Sequence, residues 1–209
     1  MKGFEAAMGG NSEKLVGSMK YIGGVGKGEE FSLPAEKIGF RDPKTYLKIF
    51  KNIVIRLIEK GSMQMMEGMG NGEKMRDIFD KKIGLTIVDA AKAHTLYFTL
   101  RFFLEKIESL GANPKHAAIK EGWTRLALIF SIDQLFVYTS QAVETGSINQ
   151  AAVVFTKEVY AELLEEIHVD ALSLLEGFGY KDNMLRSTIG HSNGKFLSGD
   201  WFKIFRNAL

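Results

Sequence analysis

Glu165 and His168 stand one helical turn apart, a spacing by which one helix offers a carboxylate and an imidazole to the same metal ion. A carboxylate-bridged di-iron bundle needs a second such pair and inward glutamates on the other helices. No second copy exists, and His94, His116 and His191 stand in unrelated contexts, so no metal ligands are assigned. The tract Tyr21-Ile22-Gly23-Gly24-Val25-Gly26-Lys27-Gly28 has the glycines and lysine of a phosphate-cradling loop. That loop requires Ser or Thr after its lysine, a strand before it and a helix behind it. Here Gly28 follows Lys27 and Pro34 soon interrupts any helix, so the tract reads as a flexible linker. His94, near Tyr97 and Arg101 on one helical face, reads as a buried histidine held by a backbone or hydroxyl partner, because buried polar groups are paired. Met63, Met65, Met66 and Met69 read as a mobile loop, with an adaptable binding surface as the other reading. No catalytic residue is assigned, and cofactor-binding residues stay unknown.

The elements that would position such groups are helices. Asp42-Pro43 is a capping carboxylate followed by the residue favoured at the first helical position. Behind it Tyr46, Leu47, Phe50, Ile53, Val54, Leu57 and Ile58 recur at helical spacing. This helix is expected to fade near Gly61 or Gly68, with Met63 to Gly72 a frayed end and loop. A second helix is expected from Glu73 to Leu110, its face marked by Ile78, Ile83, Ile87, Ala90, Ala91, His94, Phe98, Arg101 and Phe102, with Gly84 a weak point. Asn113-Pro114 starts a third, carrying Ile119, Trp123, Leu126, Ala127, Phe130, Gln134 and Tyr138 and ending near Gly146. Ser147 with Gln150 has the capping-box pattern for a fourth, expected to reach Phe178 and to bury Val154, Phe155, Leu163, Leu164, Ile167, Ala171, Leu174 and Leu175. Four long helices with short connections predict an all-α, up-down four-helix bundle over residues 42–209. Residues 1–41 read as a partial helix and extended connector from a preceding bundle. Residues 180–209 read as a short helical tail, with Trp201, Phe202, Ile204 and Phe205 tucked back onto the bundle.

Composition narrows the partners. The 209 residues are 45% hydrophobic and 25% charged, with a formal charge of +2. That balance is globular and gives no electrostatic pull toward nucleic acid or anionic lipid. No apolar stretch reaches the roughly 18 residues a membrane span requires, and Met1 to Gly10 lacks a signal peptide's apolar core. The absence of cysteine removes disulfides and thiolate sites and fits a reducing, intracellular setting.

Three stretches together carry a family resemblance. Asp170 to Asp182, followed by Leu185, Ser187, Ile189-Gly190 and Gly194, resembles the C-terminal signature of peroxisomal acyl-CoA oxidases. Lys14-Leu15-Val16-Gly17-Ser18-Met19-Lys20-Tyr21-Ile22 resembles the family's exit from its first helical bundle. Asp89-Ala90-Ala91-Lys92-Ala93-His94, with Tyr97 and Phe103, resembles a helix of its second bundle. The resemblance covers nearly the whole chain and implies the C-terminal helical domain of the acyl-CoA oxidase and dehydrogenase type. Family members are FAD-dependent enzymes that place a trans double bond between carbons two and three of fatty acyl-CoA and pass the electrons to oxygen, the first step of peroxisomal β-oxidation.

The family's flavin-binding region and catalytic glutamate precede the part this chain resembles. The resemblance therefore implies a piece without its own active site, starting at Met1-Lys2-Gly3-Phe4 in the helix after that glutamate and binding no FAD by itself. Its implied partner is an acyl-CoA oxidase catalytic region, in a homo- or hetero-oligomer. A non-catalytic interaction or regulatory protein derived from the same domain is the alternative. Two places depart from the family pattern. His191-Ser192-Asn193-Gly194-Lys195-Phe196-Leu197-Ser198 keeps only the glycine of the family's Arg-Tyr-Asp-Gly motif, and Asn207-Ala208-Leu209 shares only its last residue with a Ser-Lys-Leu peroxisomal signal.

Overall fold

The computed structural model describes residues 21–22, 31–181 and 184. Among these every regular element is helical. A 3₁₀ turn, Lys37–Arg41, leads into α1 (Pro43–Gly70), α2 (Met75–Ile78), a π turn (Phe79–Ile83) and α3 (Gly84–Ser109). A second 3₁₀ turn, Pro114–His116, leads into α4 (Ala117–Val137), α5 (Thr139–Glu144), α6 (Gln150–His168) and α7 (Ala171–Glu176). No helix among the described residues is long and apolar enough to cross a membrane.

α1 starts where its sequence says it should. Asp42 Oδ1 accepts from the Lys44 amide at 2.9 Å, and Pro43 occupies the first turn. It runs through Gly61 and ends at Gly70, near the later of the two expected positions. Gly61 and Gly68 admit close neighbours: a Cβ on Gly68 would lie 2.8 Å from Ile78 Cδ1, and one on Gly61 would lie 3.7 Å from Thr86 Cγ2. Met63, Met66 and Met69 accordingly sit on the exposed side of a continuous helix, not in a loop. Beyond its end at Gly70, the φ of +72° at Gly72 lets the Glu73 amide reach back to the Gly68 carbonyl. Gly68→Val is expected to displace buried Ile78 and destabilise the fold by about 1–3 kcal/mol, measurable as a lower urea midpoint.

The second expected helix is interrupted before Gly84 by the π turn, which places a Gly84 Cβ 2.9 Å from the Phe79 carbonyl oxygen. The third is broken at Tyr138 and the fourth at Val169 and Asp170. Ser147 is not the cap of α6. Asn149 Oδ1 accepts from the Ala152 amide at 2.8 Å, while Ser147 is buried and accepts from Asn52 Nδ2 at 2.9 Å.

The chain divides into two compact units, Met1–Leu164 and Glu165–Leu209. In the first, α1 and α3 run antiparallel: Lys44 pairs with Glu108 at 2.8 Å near one end, and Gly61 approaches Thr86 near the other. Between them lie Tyr46, Phe50, Ile53, Tyr97, Leu100 and Leu104. Ala127, Ile132 and Leu135 of α4 and Ala152, Val159 and Leu163 of α6 complete the core. Phe40 meets Phe155 at 5.8 Å between ring centres, and Phe136 meets Tyr160 edge-on at 5.3 Å. The expected faces of three helices are met in part, with Ile83, Ala90, Ala127 and Leu163 buried. Ile87, Phe102, Ile119, Val154 and Leu164 are exposed, and the inward positions fall to neighbours such as Leu100, Leu128 and Val159. In the second unit α7 leaves Leu172 and Leu175 exposed, and Phe178 stacks on Tyr180 at 6.0 Å. The N-terminal segment Met1–Lys20, the glycines from Gly23 to Gly28, and His191 through Leu209 lie outside the described residues, as does the tail cluster Trp201, Phe202, Ile204 and Phe205.

Candidate functional site

The densest grouping of polar and aromatic side chains is on one flank of α3. His94, Tyr97 and Phe98 project from adjoining turns, and Tyr21 of the N-terminal connector lies across them. Tyr21 stacks on Tyr97 at 4.3 Å, its hydroxyl lies 2.6 Å from His94 Nδ1, and Ile22 beside it is buried on Ile55 and Ile58. The expected hydroxyl partner of His94 is thus a tyrosine 73 residues away. Sequence reading placed Tyr21 at the head of a glycine tract and at the end of the Lys14 to Ile22 stretch, without linking it to His94. An aromatic at the mouth of that tract was the available signal.

The electrostatics of this pair are set by burial. Burial pushes the Tyr21 phenol above its ordinary value, with Tyr97 adding to the effect, and burial holds the His94 imidazole below its ordinary value. Both groups are therefore neutral near pH 7. The partner of His94 is a phenol and not the carboxylate that would orient a catalytic imidazole. Arg101, the third residue of the expected face, binds Glu105 at 2.7 Å and lies over the Phe98 ring at 5.8 Å.

A pH dependence follows. Unfolded imidazole titrates near 6.5, so above that pH both states are neutral and the Tyr21–His94 contact contributes fully. As pH falls through the lower folded-state value, the unfolded chain takes up the proton first and stability is lost. His94→Gln should flatten the profile of thermal midpoint against pH below 6.5. Tyr21→Phe, at constant neutral pH, should cost about 0.5–1.5 kcal/mol.

The other candidates resolve into structure. His168 Nδ1 lies 3.1 Å from the Glu165 carbonyl oxygen, a contact within one turn, and His116 Nδ1 lies 3.2 Å from the Leu110 carbonyl. Among the described residues no group of three His, Asp or Glu side chains could share a metal ion. Asn52, Ser147 and Thr145 form a buried relay that ends on backbone carbonyls. A cleft of about 210 Å³ between Leu33, Pro34, Lys48 and Ile49 is bordered by Thr45, whose hydroxyl is already donated to the Gly39 carbonyl. Asp42, Asn113 and Asn149 cap their own helices.

Every regular element of the described residues is helical, and the His94 imidazole is partnered within the chain. A family model described as Acyl-CoA oxidase matches residues 42–198. The chain belongs to the acyl-CoA oxidase family. It is 26% identical over 155 residues to peroxisomal acyl-coenzyme A oxidase 2 of Rattus norvegicus, covering 74% of this chain and 22% of that protein. It is 27% identical over 149 residues to acyl-coenzyme A oxidase acox-1.1 of Caenorhabditis elegans, covering 71% and 21%. The solved acyl-CoA oxidase-1 of C. elegans matches 99% of the chain with 31% of its own, at a TM-score of 0.77 and 21% identity. Acyl-CoA oxidase 1 of Arabidopsis thaliana matches 99% with 30% of its own, at a TM-score of 0.79 and 19% identity. The chain thus spans about a fifth of the length of these curated relatives.

Proposed function

We propose that this chain is the C-terminal helical domain of an acyl-CoA oxidase and acts as structural support for a catalytic region that holds the FAD and the catalytic glutamate. In this reading residues 1–41 connect from a preceding bundle, and residues 42–209 form the supporting bundle with its tail. The observation that carries it is coverage: solved acyl-CoA oxidases match nearly all of this chain with less than a third of their own. The His94 imidazole and the caps Asp42 and Asn149 are engaged within the chain, which fits a supporting role. The reaction served would be acyl-CoA oxidation in fatty acid β-oxidation, with fatty acyl-CoA bound by the complete assembly. A peroxisomal site of action follows the names of the curated relatives.

The test combines the purified chain with C. elegans acyl-CoA oxidase-1 from which the matching third has been deleted. Flavin absorbance and peroxide release from palmitoyl-CoA are recorded for each alone and for the mixture. The chain alone should be colourless and silent, and the mixture should form a complex and regain peroxide release. Failure to form any complex overturns the proposal, as does a yellow and active chain by itself. A complex without regained activity would favour the non-catalytic interaction protein instead.

A further inference from the structure

α3 has a second apolar face. Leu85, Val88, Ala91, Thr95, Phe98 and Phe102 follow one another at steps of three and four residues and so line one side of the helix. It is the side turned away from Ala93, Leu100 and Leu104, which are buried in the core. Leu85 is 84% exposed, Val88 47% and Phe102 60%. Ala91 and Thr95 are exposed as well, and Phe98 is half-buried. The one hydroxyl on the face is engaged by its own helix, since Thr95 Oγ1 donates to the Ala91 carbonyl at 3.1 Å and leaves its methyl outward. At one end Phe98 and Phe102 pack together at 5.6 Å, and at the other stand Leu85 and Val88. Small Ala91 and Thr95 make a dip between them. The stripe is about 25 Å long at 1.5 Å per residue and has the a/d spacing of a helix-packing seam, with Lys92 beside Val88 and the Arg101 guanidinium over the Phe98 ring at its borders.

We infer that this face of α3 is the seam along which the chain docks onto the catalytic region of an acyl-CoA oxidase. The inference rests on the function proposed above and adds the surface. An apolar stripe on both sides of one helix marks a helix covered on both sides. This fold occupies 31% of the solved C. elegans oxidase chain, so the larger part of that polypeptide is available to cover it. The partner surface is apolar at its centre, with a ridge of long side chains that fills the dip at Ala91 and Thr95.

The experiment uses the full chain carrying Val88→Lys and Phe102→Glu together, and a control chain carrying Val154→Lys on the exposed side of α6, each mixed with the truncated C. elegans oxidase. The double variant should bind at least a hundredfold more weakly than wild type, and the control should bind as wild type does. Equal binding by the double variant overturns the seam while leaving the supporting function intact. No binding by wild type itself removes the supporting function, and the seam with it. The chain alone supplies two further outcomes that overturn the inference. One is a melting temperature lowered by many degrees in the double variant, which means the face is already covered within the chain. The other is a wild-type dimer in light scattering that the double variant abolishes, which means a second copy is the occupant.

Discussion

Replacing Tyr46 by alanine is expected to destabilise the first unit by about 3–5 kcal/mol, the range for removing a large buried ring. Tyr46 is fully buried among Ile49, Phe50 and Phe40, and its hydroxyl donates to the Phe40 carbonyl at 2.9 Å. That bond fixes the 3₁₀ turn against the first turns of α1, and the same turn sends Lys37 and Arg41 to Glu162 of α6 at 2.5 and 2.7 Å. Loss of the ring thus removes core volume and also loosens the attachment of the entering chain to α6. Tyr46→Phe separates the two effects. It keeps the volume and leaves one buried carbonyl unpaired, a cost of about 1–3 kcal/mol. Urea denaturation with an unchanged m-value reads both losses as a shift in midpoint. The exposed ion pairs at Glu162 contribute little by comparison, so Glu162→Gln should change the midpoint only slightly.

The second large effect distinguishes the two faces of α3. Leu100→Ala should cost about 2–5 kcal/mol, because Leu100 is fully buried in the core. Phe102→Ala, two residues along the same helix, should stay within about 0.5 kcal/mol in the chain alone, because its ring is largely exposed. Equal losses at both positions would mean that the core faces had been assigned to the wrong side.

That contrast also explains what the sequence could and could not reveal. Helix starts were legible because their signals are local: Asp42-Pro43 and Asn113-Pro114 cap as their residue types require. α1 was legible because one stripe, Tyr46 to Leu57, is apolar and its reverse is not. α3 was not, because Phe98 and Phe102 on one side are as apolar as Leu100 and Leu104 on the other, and periodicity cannot choose between two apolar stripes. At Gly61 and Gly68 a glycine signals a helix end and a close packing contact equally well. Only the position of Ile78, fixed by the tertiary fold, decides between the two. At the candidate site, His94 was recognisable, but its partner Tyr21 is 73 residues away and no local rule connects them.

The π turn at Phe79–Ile83 is a matter of counting. Ile78 and Ile83 are both buried, while the four residues between them are exposed. A spacing of five suits the i→i+5 turn, whereas a regular helix would bring residues three or four apart to one face. The chain therefore holds one residue more than its inward-facing positions require. Deleting Asp80 alone should convert the segment to an ordinary α-helix and keep both isoleucines facing inward. The same one-residue deletion at Thr95, in the middle of α3, would rotate one half of the core face by a quarter turn or more against the other. Length is negotiable at the π turn and nowhere else along that helix, so natural insertions and deletions should collect there.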